Sequence, residues 1–271
     1  MSTTREEQIK QLFKFPKDRG INHLYRYRSM KSREICEIFI VRKIYLSCPT
    51  KFNDPFDCRP KLIVYEGGPE RQSYLKEMAH EQFPLADANT LKERIEEADI
   101  KLRSDPLYAD RAYNNYINKM GIYCLSRICN DILMWSHYSD GHKGICLEFD
   151  ITKDKQLKLF GQAFQVSYAE DLPSVNIMTI ETPEEYKKAL LIKSNHWIYE
   201  QEERILKPID EGGPGRYDFQ AELLTGVILG ALISPEDRKE IMDCVSNYPA
   251  KIDVYEAKLS KTKYLLEIYP I

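Results

Sequence analysis

The longest run of apolar residues in this chain is Val227 to Ile233, and it contains Gly230. A membrane-spanning helix needs about 20 such residues, so no membrane span is expected, and LLTGVILGALI, which contains the run, reads as a buried strand. With 43% hydrophobic and 30% charged residues the balance is that of an ordinary folding domain. The 39 Lys and Arg stand against 42 Asp and Glu, a formal net charge of −3. No block of like charge offers itself to a phosphate backbone, so nucleic acid is not the default partner. The seven cysteines include no pair at the C-x-x-C spacing of a zinc or redox site. The N-terminal MSTTREEQIKQLFKF is charged where a secretory signal needs an apolar core. The expectation is a cytoplasmic protein with reduced thiols and no metal.

Along the chain, Leu24 to Val64 reads as strand, helix, strand, turn, strand. The turn is FNDPF, where Asn53 and Asp54 can bond their own backbone and Pro55 fixes its φ. Residues 66–120 are rich in charged helix formers, with Pro84 and Pro106 as breakers, and read as a helical insertion. GIYCLS is strand-like, Asn130 or Asp131 can cap a short helix that Gly141 or Gly144 ends, and ICLEFD alternates as a strand. After a strand at Val166 to Tyr168, the pattern predicts a helix from Pro183 to about His196; in WIYEQEERILKP helix and strand compete. Residues 222–271 read as strand, helix, strand, strand, with Ser234 and Pro235 opening the helix and the last two strands able to pair. This is one α+β domain without repeats or a long linker.

The Rossmann, P-loop, zincin and hydrolase-elbow signatures are all missing. His137 and His142 are badly spaced for helical metal ligands, and no carboxylate or Cys accompanies them at a zinc spacing. Four segments carry more polar and aromatic residues than a plain core needs. In Tyr25, Arg26, Tyr27, Arg28 and Ser29, a strand puts tyrosines on one face and arginines on the other; the arginines suit a phosphate clamp or a solvated edge. Asn53 and Asp54 form the second segment. The third joins Ser126 to Trp135, His137 and Tyr138, where Trp135 and Tyr138 share a helical face and His137 is a titratable candidate. The fourth runs from Trp197 to Arg204. As a strand it puts Glu200, Glu202 and Arg204 on one face, where two carboxylates raise one pKa unless Arg204 compensates; as a helix it leaves Glu200 and Arg204 an ordinary surface pair.

LYRYRS, FNDPF, MWSHY, the H-x-G-I-C of 142–146 and the W-x-Y-E-x-E-x-R of 197–204, in that order, resemble a widespread bacterial family known only as a domain of unknown function. The succession of a first strand with an aromatic motif, a strand ending in Ser and a late strand bearing Glu is similar to the split, antiparallel-rich sheets of ADP-ribosyltransferases, including their DNA-modifying toxin branch. That likeness implies NAD as a nucleotide substrate, a protein or nucleic-acid acceptor, and a role as a toxin or phage-defence effector. It puts Tyr25 to Ser29 in the NAD-binding first motif, Ser126 in the nicotinamide pocket, and Glu202 or Glu200 at the ribose; R-Y-R and Leu-Ser-Arg depart from the family's usual motifs. Catalytic candidates are then Glu202, Glu200, Arg204 and His137. Tyr25, Arg26, Tyr27, Arg28, Asn53, Asp54, Ser126, Trp135 and Tyr138 would line the cofactor site. Two other classes stay open: a non-catalytic interaction module of the same fold, and a nuclease holding Mg²⁺ with Asp54, Glu200 and Glu202.

Overall fold

Four segments, HLYRYR, GIYCLS, ICLEFD and EERILK, become central strands of one sheet because each offers alternating or continuous apolar residues to two covered faces. The structure, a computed structural model, describes residues 14–63, 68–105, 107–155, 159–180 and 182–271. Most of the charged N-terminal stretch, Val64, Glu66 and the breaker Pro106 lie outside the described residues. The strands are β1 (His23–Arg28), β2 (Lys43–Leu46), β3 (Lys61–Ile63), β4 (Gly121–Ser126), β5 (Ile145–Asp150), β6 (Phe164–Gln165) and β7 (Ser167–Ala169). They continue with β8 (Ser174–Asn176), β9 (Ile192–Ser194), β10 (Glu202–Lys207), β11 (Gly215–Asp218), β12 (Leu224–Leu229), β13 (Asp253–Leu259) and β14 (Leu266–Pro270).

Eight of these form a sheet in the order β14-β13-β12-β5-β1-β4-β10-β6. Its pairings are antiparallel except β12 with β13. That parallel step requires a crossover, which the helix Pro235–Ser246 supplies; Ser234 Oγ accepts from Asp237 N at 3.0 Å to start it. Three two-stranded ribbons, β11–β2, β3–β8 and β7–β9, lie outside the large sheet. The architecture is α+β with a mixed, mostly antiparallel sheet.

One face of the sheet presents Leu24, Tyr123, Leu125, Leu147, Phe149 and Ile205, packed on Ile35, Ile38 and Ile241 from the helical segments above. The opposite face is divided. Near β4 and β10, Ile122 and Leu206 pack with Tyr113, Ile117 and Leu190, which come from the helices Tyr108–Ile117 and Pro183–Leu190. Near β1 and β5, Tyr27 and Cys146 pack with Met134 and Trp135 of the short helix Ile132–Tyr138, which Asp131 caps through Leu133 N and Met134 N at 2.9 and 3.0 Å. Residues 69–82, 88–104 and 108–117 are helical, and Pro84 lies in the turn between the first two. No helix among the described residues is long and apolar enough to cross a membrane. All seven cysteines are free.

The helix expected from Pro183 to about His196 stops at Leu190. Residues 192–194 leave it to pair in parallel with β7, and a short 3-10 helix, Asn195–Glu200, follows. The competing WIYEQEERILKP is therefore shared between two conformations: its first residues are 3-10 helix, and from Glu202 it is strand.

Candidate active site

Gln201 makes the junction between these two conformations, with φ at 43°, in the left-handed region that non-glycine residues seldom occupy. Its carbonyl accepts from Arg127 N at 3.2 Å and Arg127 Nε at 3.3 Å, which holds the bend against the loop after β4. Strained backbone of this kind persists where the surroundings over-determine it. Here it places Glu200 and Glu202 so that both carboxyls meet Lys193, while Glu202 also meets Arg204.

Lys193 Nζ lies 2.5 Å from Glu200 Oε2, 3.3 Å from Glu202 Oε2 and 3.5 Å from Asp57 Oδ2. Arg204 donates through Nε to Glu202 Oε1 at 2.8 Å and through one terminal nitrogen to both oxygens of Asp57 at 2.8 and 2.7 Å. Its other terminal nitrogen donates to the Leu190 carbonyl at 2.7 Å, and the ring of Phe52 lies 5.7 Å from the guanidinium. Glu200 and Glu202 are each 3% exposed, and Arg204 is fully enclosed.

Three carboxyls and two cations leave one negative charge in excess if all are ionised, and an enclosed site sheds such a charge by protonation. Burial and the adjacent Glu202 charge push the Glu200 carboxyl up to about 7, against Lys193 and a hydrogen bond from the Tyr138 hydroxyl at 2.6 Å. Burial also acts on Glu202, but Arg204 and Lys193 outweigh it and hold that carboxyl well below the usual range. Burial opposes charge on Lys193, yet Glu202, Asp57 and Glu200 raise its pKa. Two carboxyls two residues apart thus differ in role: one stays ionised, the other titrates near neutrality.

The backbone registers this pair against the rest of the sheet. Glu202 stands opposite Ser126 on β4, and Ser126 opposite Tyr25 on β1, so all three share one face in one row. Ser126 Oγ donates to the Glu200 carbonyl at 2.6 Å and accepts from Ile128 N at 3.1 Å, which fixes the loop over the row. Tyr138 and the exposed His137 bring the short helix to this place; His137 Nδ1 lies 2.9 Å from the Tyr199 hydroxyl, and the Trp197 ring is 6.2 Å from the imidazole. Outside Lys193 a cleft of about 360 Å³ opens between Asp54, Phe56, Arg59, His196 and Trp197. Asp54 Oδ1 accepts from Phe56 N at 2.9 Å, the turn geometry that FNDPF implies, and the Asn53 side chain bonds the Tyr138 hydroxyl.

Several candidates are placed elsewhere. Arg26 and Arg28 project from the opposite face of β1, where Glu34 pairs with both and the Arg26 guanidinium lies 4.4 Å from the Tyr123 ring centroid. Strand alternation separates them from Glu202, so they cannot clamp a phosphate beside it. Tyr27 and Trp135 are core residues in an edge-to-face pair at 5.3 Å, with Trp135 Nε1 donating to the Cys129 carbonyl at 2.8 Å. They leave no ring face for a ligand, so Trp135 and Tyr138 do not form one aromatic platform. Ser29 follows β1 and caps Lys31 N at 3.2 Å.

Asp57 and Lys193 belong to the network although sequence reasoning passed over both. Lys193 carried a signal: a single lysine after Ala189, Leu190, Leu191 and Ile192 is a charge entering an apolar run, which requires a buried partner. Asp57, between Phe56 and Cys58, carried a weaker one of the same kind.

Residues 134–205 match the model of a family described as a protein of unknown function (DUF2971). The matched segment contains Tyr138, Lys193, Glu200, Glu202 and Arg204. No curated protein and no solved structure matches the chain.

Proposed function

We propose that this chain is an enzyme of ADP-ribosyltransferase type that cleaves the glycosidic bond of a nucleotide such as NAD. The observation that carries the reading is the row Tyr25, Ser126, Glu202 across β1, β4 and β10, on one face of adjacent strands. It brings together the three positions to which the resemblance to ADP-ribosyltransferases gives nucleotide binding, pocket lining and the ribose. As the C–N bond breaks, its electron pair leaves with nicotinamide and positive charge develops at the ribose carbon. A carboxylate fixed in the ionised state, as Arg204 and Lys193 fix Glu202, stabilises that charge. Glu200, titrating near neutrality, accepts the proton of the attacking water or acceptor hydroxyl. Substrate reaches the carboxyls by displacing the half-buried Tyr138 hydroxyl from Glu200.

The test follows nicotinamide release from NAD, with and without cell lysate as acceptor. Glu202→Gln keeps size and hydrogen bonding but removes charge, so turnover should fall by about 10²-fold or more. Glu200→Gln should flatten the rise of rate with pH through about 7. Glu203→Gln should change turnover only a few-fold, since Glu203 faces the other side of β10 and is bound by Arg19. Equal losses from Glu202→Gln and Glu203→Gln would mean that the segment is structural. A second reading, a non-catalytic interaction module, is favoured by the pairing of Asp57 and Glu202 with enclosed cations. Wild-type protein that neither binds NAD nor releases nicotinamide selects it.

A further inference from the structure

Extended past Tyr25, the row reaches Glu148 on β5, Gly226 on β12 and Asp253 on β13. Glu148 therefore shares the face of Glu202, three strands away, which is about 14 Å at the ~4.8 Å spacing of neighbouring strands. It is half-buried, and no Lys, Arg or His nitrogen lies within 4.0 Å of it among the described residues. Its oxygens instead accept from two hydroxyls, Thr225 Oγ1 at 3.1 Å and Tyr25 at 3.3 Å.

Two features of the backbone make that arrangement. The pairing of β12 with β5 shifts register between Leu224 and Gly226, so Thr225 is the extra residue of a β-bulge, a device that re-aims a side chain. Gly226 then leaves the carboxylate its space: a Cβ there would stand 3.0 Å from Glu148 Oε1 and 3.2 Å from Glu148 Cβ. A half-buried carboxylate without a cation, set between hydroxyls by a bulge and a glycine, exceeds what packing needs.

We propose that Glu148, Tyr25 and Thr225 form a subsite for the vicinal hydroxyls of a ribose. The inference rests on the preceding reading and deepens it: the ribose bound here is the distal one of a dinucleotide whose reacting ribose lies at Glu202. A diol both donates and accepts, and so do the Tyr25 and Thr225 hydroxyls, while Glu148 accepts. The separation of Glu148 from Glu202 is one that two riboses joined by a diphosphate can bridge. A carboxylate on a ribose 2′-hydroxyl selects NAD, because a 2′-phosphate in its place meets like charge.

The experiment measures nicotinamide release from NAD and NADP, and binding of ADP-ribose, for wild type, Glu148→Gln and Thr225→Val. The wild type should prefer NAD over NADP by about 10-fold or more in KM. Glu148→Gln should raise KM for NAD by about 10-fold with kcat within about 2-fold, and narrow the preference; Thr225→Val should raise KM by a smaller factor. A merely structural role would not move the NAD/NADP ratio. An active wild type whose KM and preference are unchanged in both variants overturns the subsite and leaves the glycosidic reading standing. Wild-type protein that releases no nicotinamide and binds no ADP-ribose overturns that reading, and the subsite with it.

Discussion

Glu202 and Glu203 are consecutive, both enclosed, and face opposite sides of β10, yet their surroundings differ in kind. Glu203 meets Arg19 in a bidentate pair, both distances 2.6 Å, with Arg127 at 3.8 Å as its second cation. Glu202 shares its cations with two other carboxyls. Burial raises the Glu203 pKa although Arg19 opposes it, whereas Arg204 and Lys193 overcome burial at Glu202. A bidentate pair closes on itself. The shared network instead fixes one carboxylate and leaves the excess charge to be relieved at Glu200, so the same residue type on two faces of one strand yields a fastener on one side and, on the other, an ionised carboxylate beside a carboxyl that titrates near 7.

The sharpest way to break this comparison is to remove the cation of each side. Arg204→Met leaves Asp57 and Glu202 buried with Lys193 alone, and urea unfolding should show a loss of about 3–5 kcal/mol. A loss below about 1 kcal/mol would mean that the network is open to water. Next comes pH. Because folding raises the Glu200 pKa from 4.5 to about 7, the native state binds more protons across that window, and stability falls as pH rises through it. Glu202 acts oppositely: its contribution is present above its ordinary value of 4.5 and is lost as pH falls below. Stability should therefore peak at about pH 5 and decline by on the order of 2 kcal/mol towards pH 8. Glu200→Gln should flatten the decline more than Glu203→Gln; the reverse order would place the titrating carboxyl on the Arg19 face. The smallest effect is expected from Arg19→Met, about 1–2 kcal/mol by the same unfolding measurement. Arg19 is partly exposed, and Glu203 keeps Arg127 and can take up a proton.

What the sequence made legible was local. Asp131, Ser234 and the FNDPF turn follow from short-range hydrogen bonding, and the C-terminal strands pair as their patterns imply. Strand periodicity also put Glu202 and Arg204 on one face. Asp57 and Tyr138 come from far along the chain, and periodicity carries no information about them. Lys193 was hidden because Pro183 to His196 has a continuous helical pattern, which the pairing of β9 with β7 overrides after Leu190. The displacement of Arg26 and Arg28 from the candidate site follows from alternation itself once the row is known: if Tyr25 faces Glu202, its neighbours cannot.

The Asp57–Arg204 contact spans 147 positions of sequence. During synthesis Asp57 therefore emerges long before the guanidinium that will enclose it, and Lys193 and Glu200 also appear ahead of Arg204. Closing so long a loop comes late in assembly, since its entropy must be overcome before the contact forms. The charged centre is consequently sealed only once β1, β4, β5 and β6 have been made and β10 has followed them: a nascent or prematurely ended chain that lacks Arg204 holds its acidic groups in water, and acquires neither the locked Glu202 nor the raised pKa of Glu200.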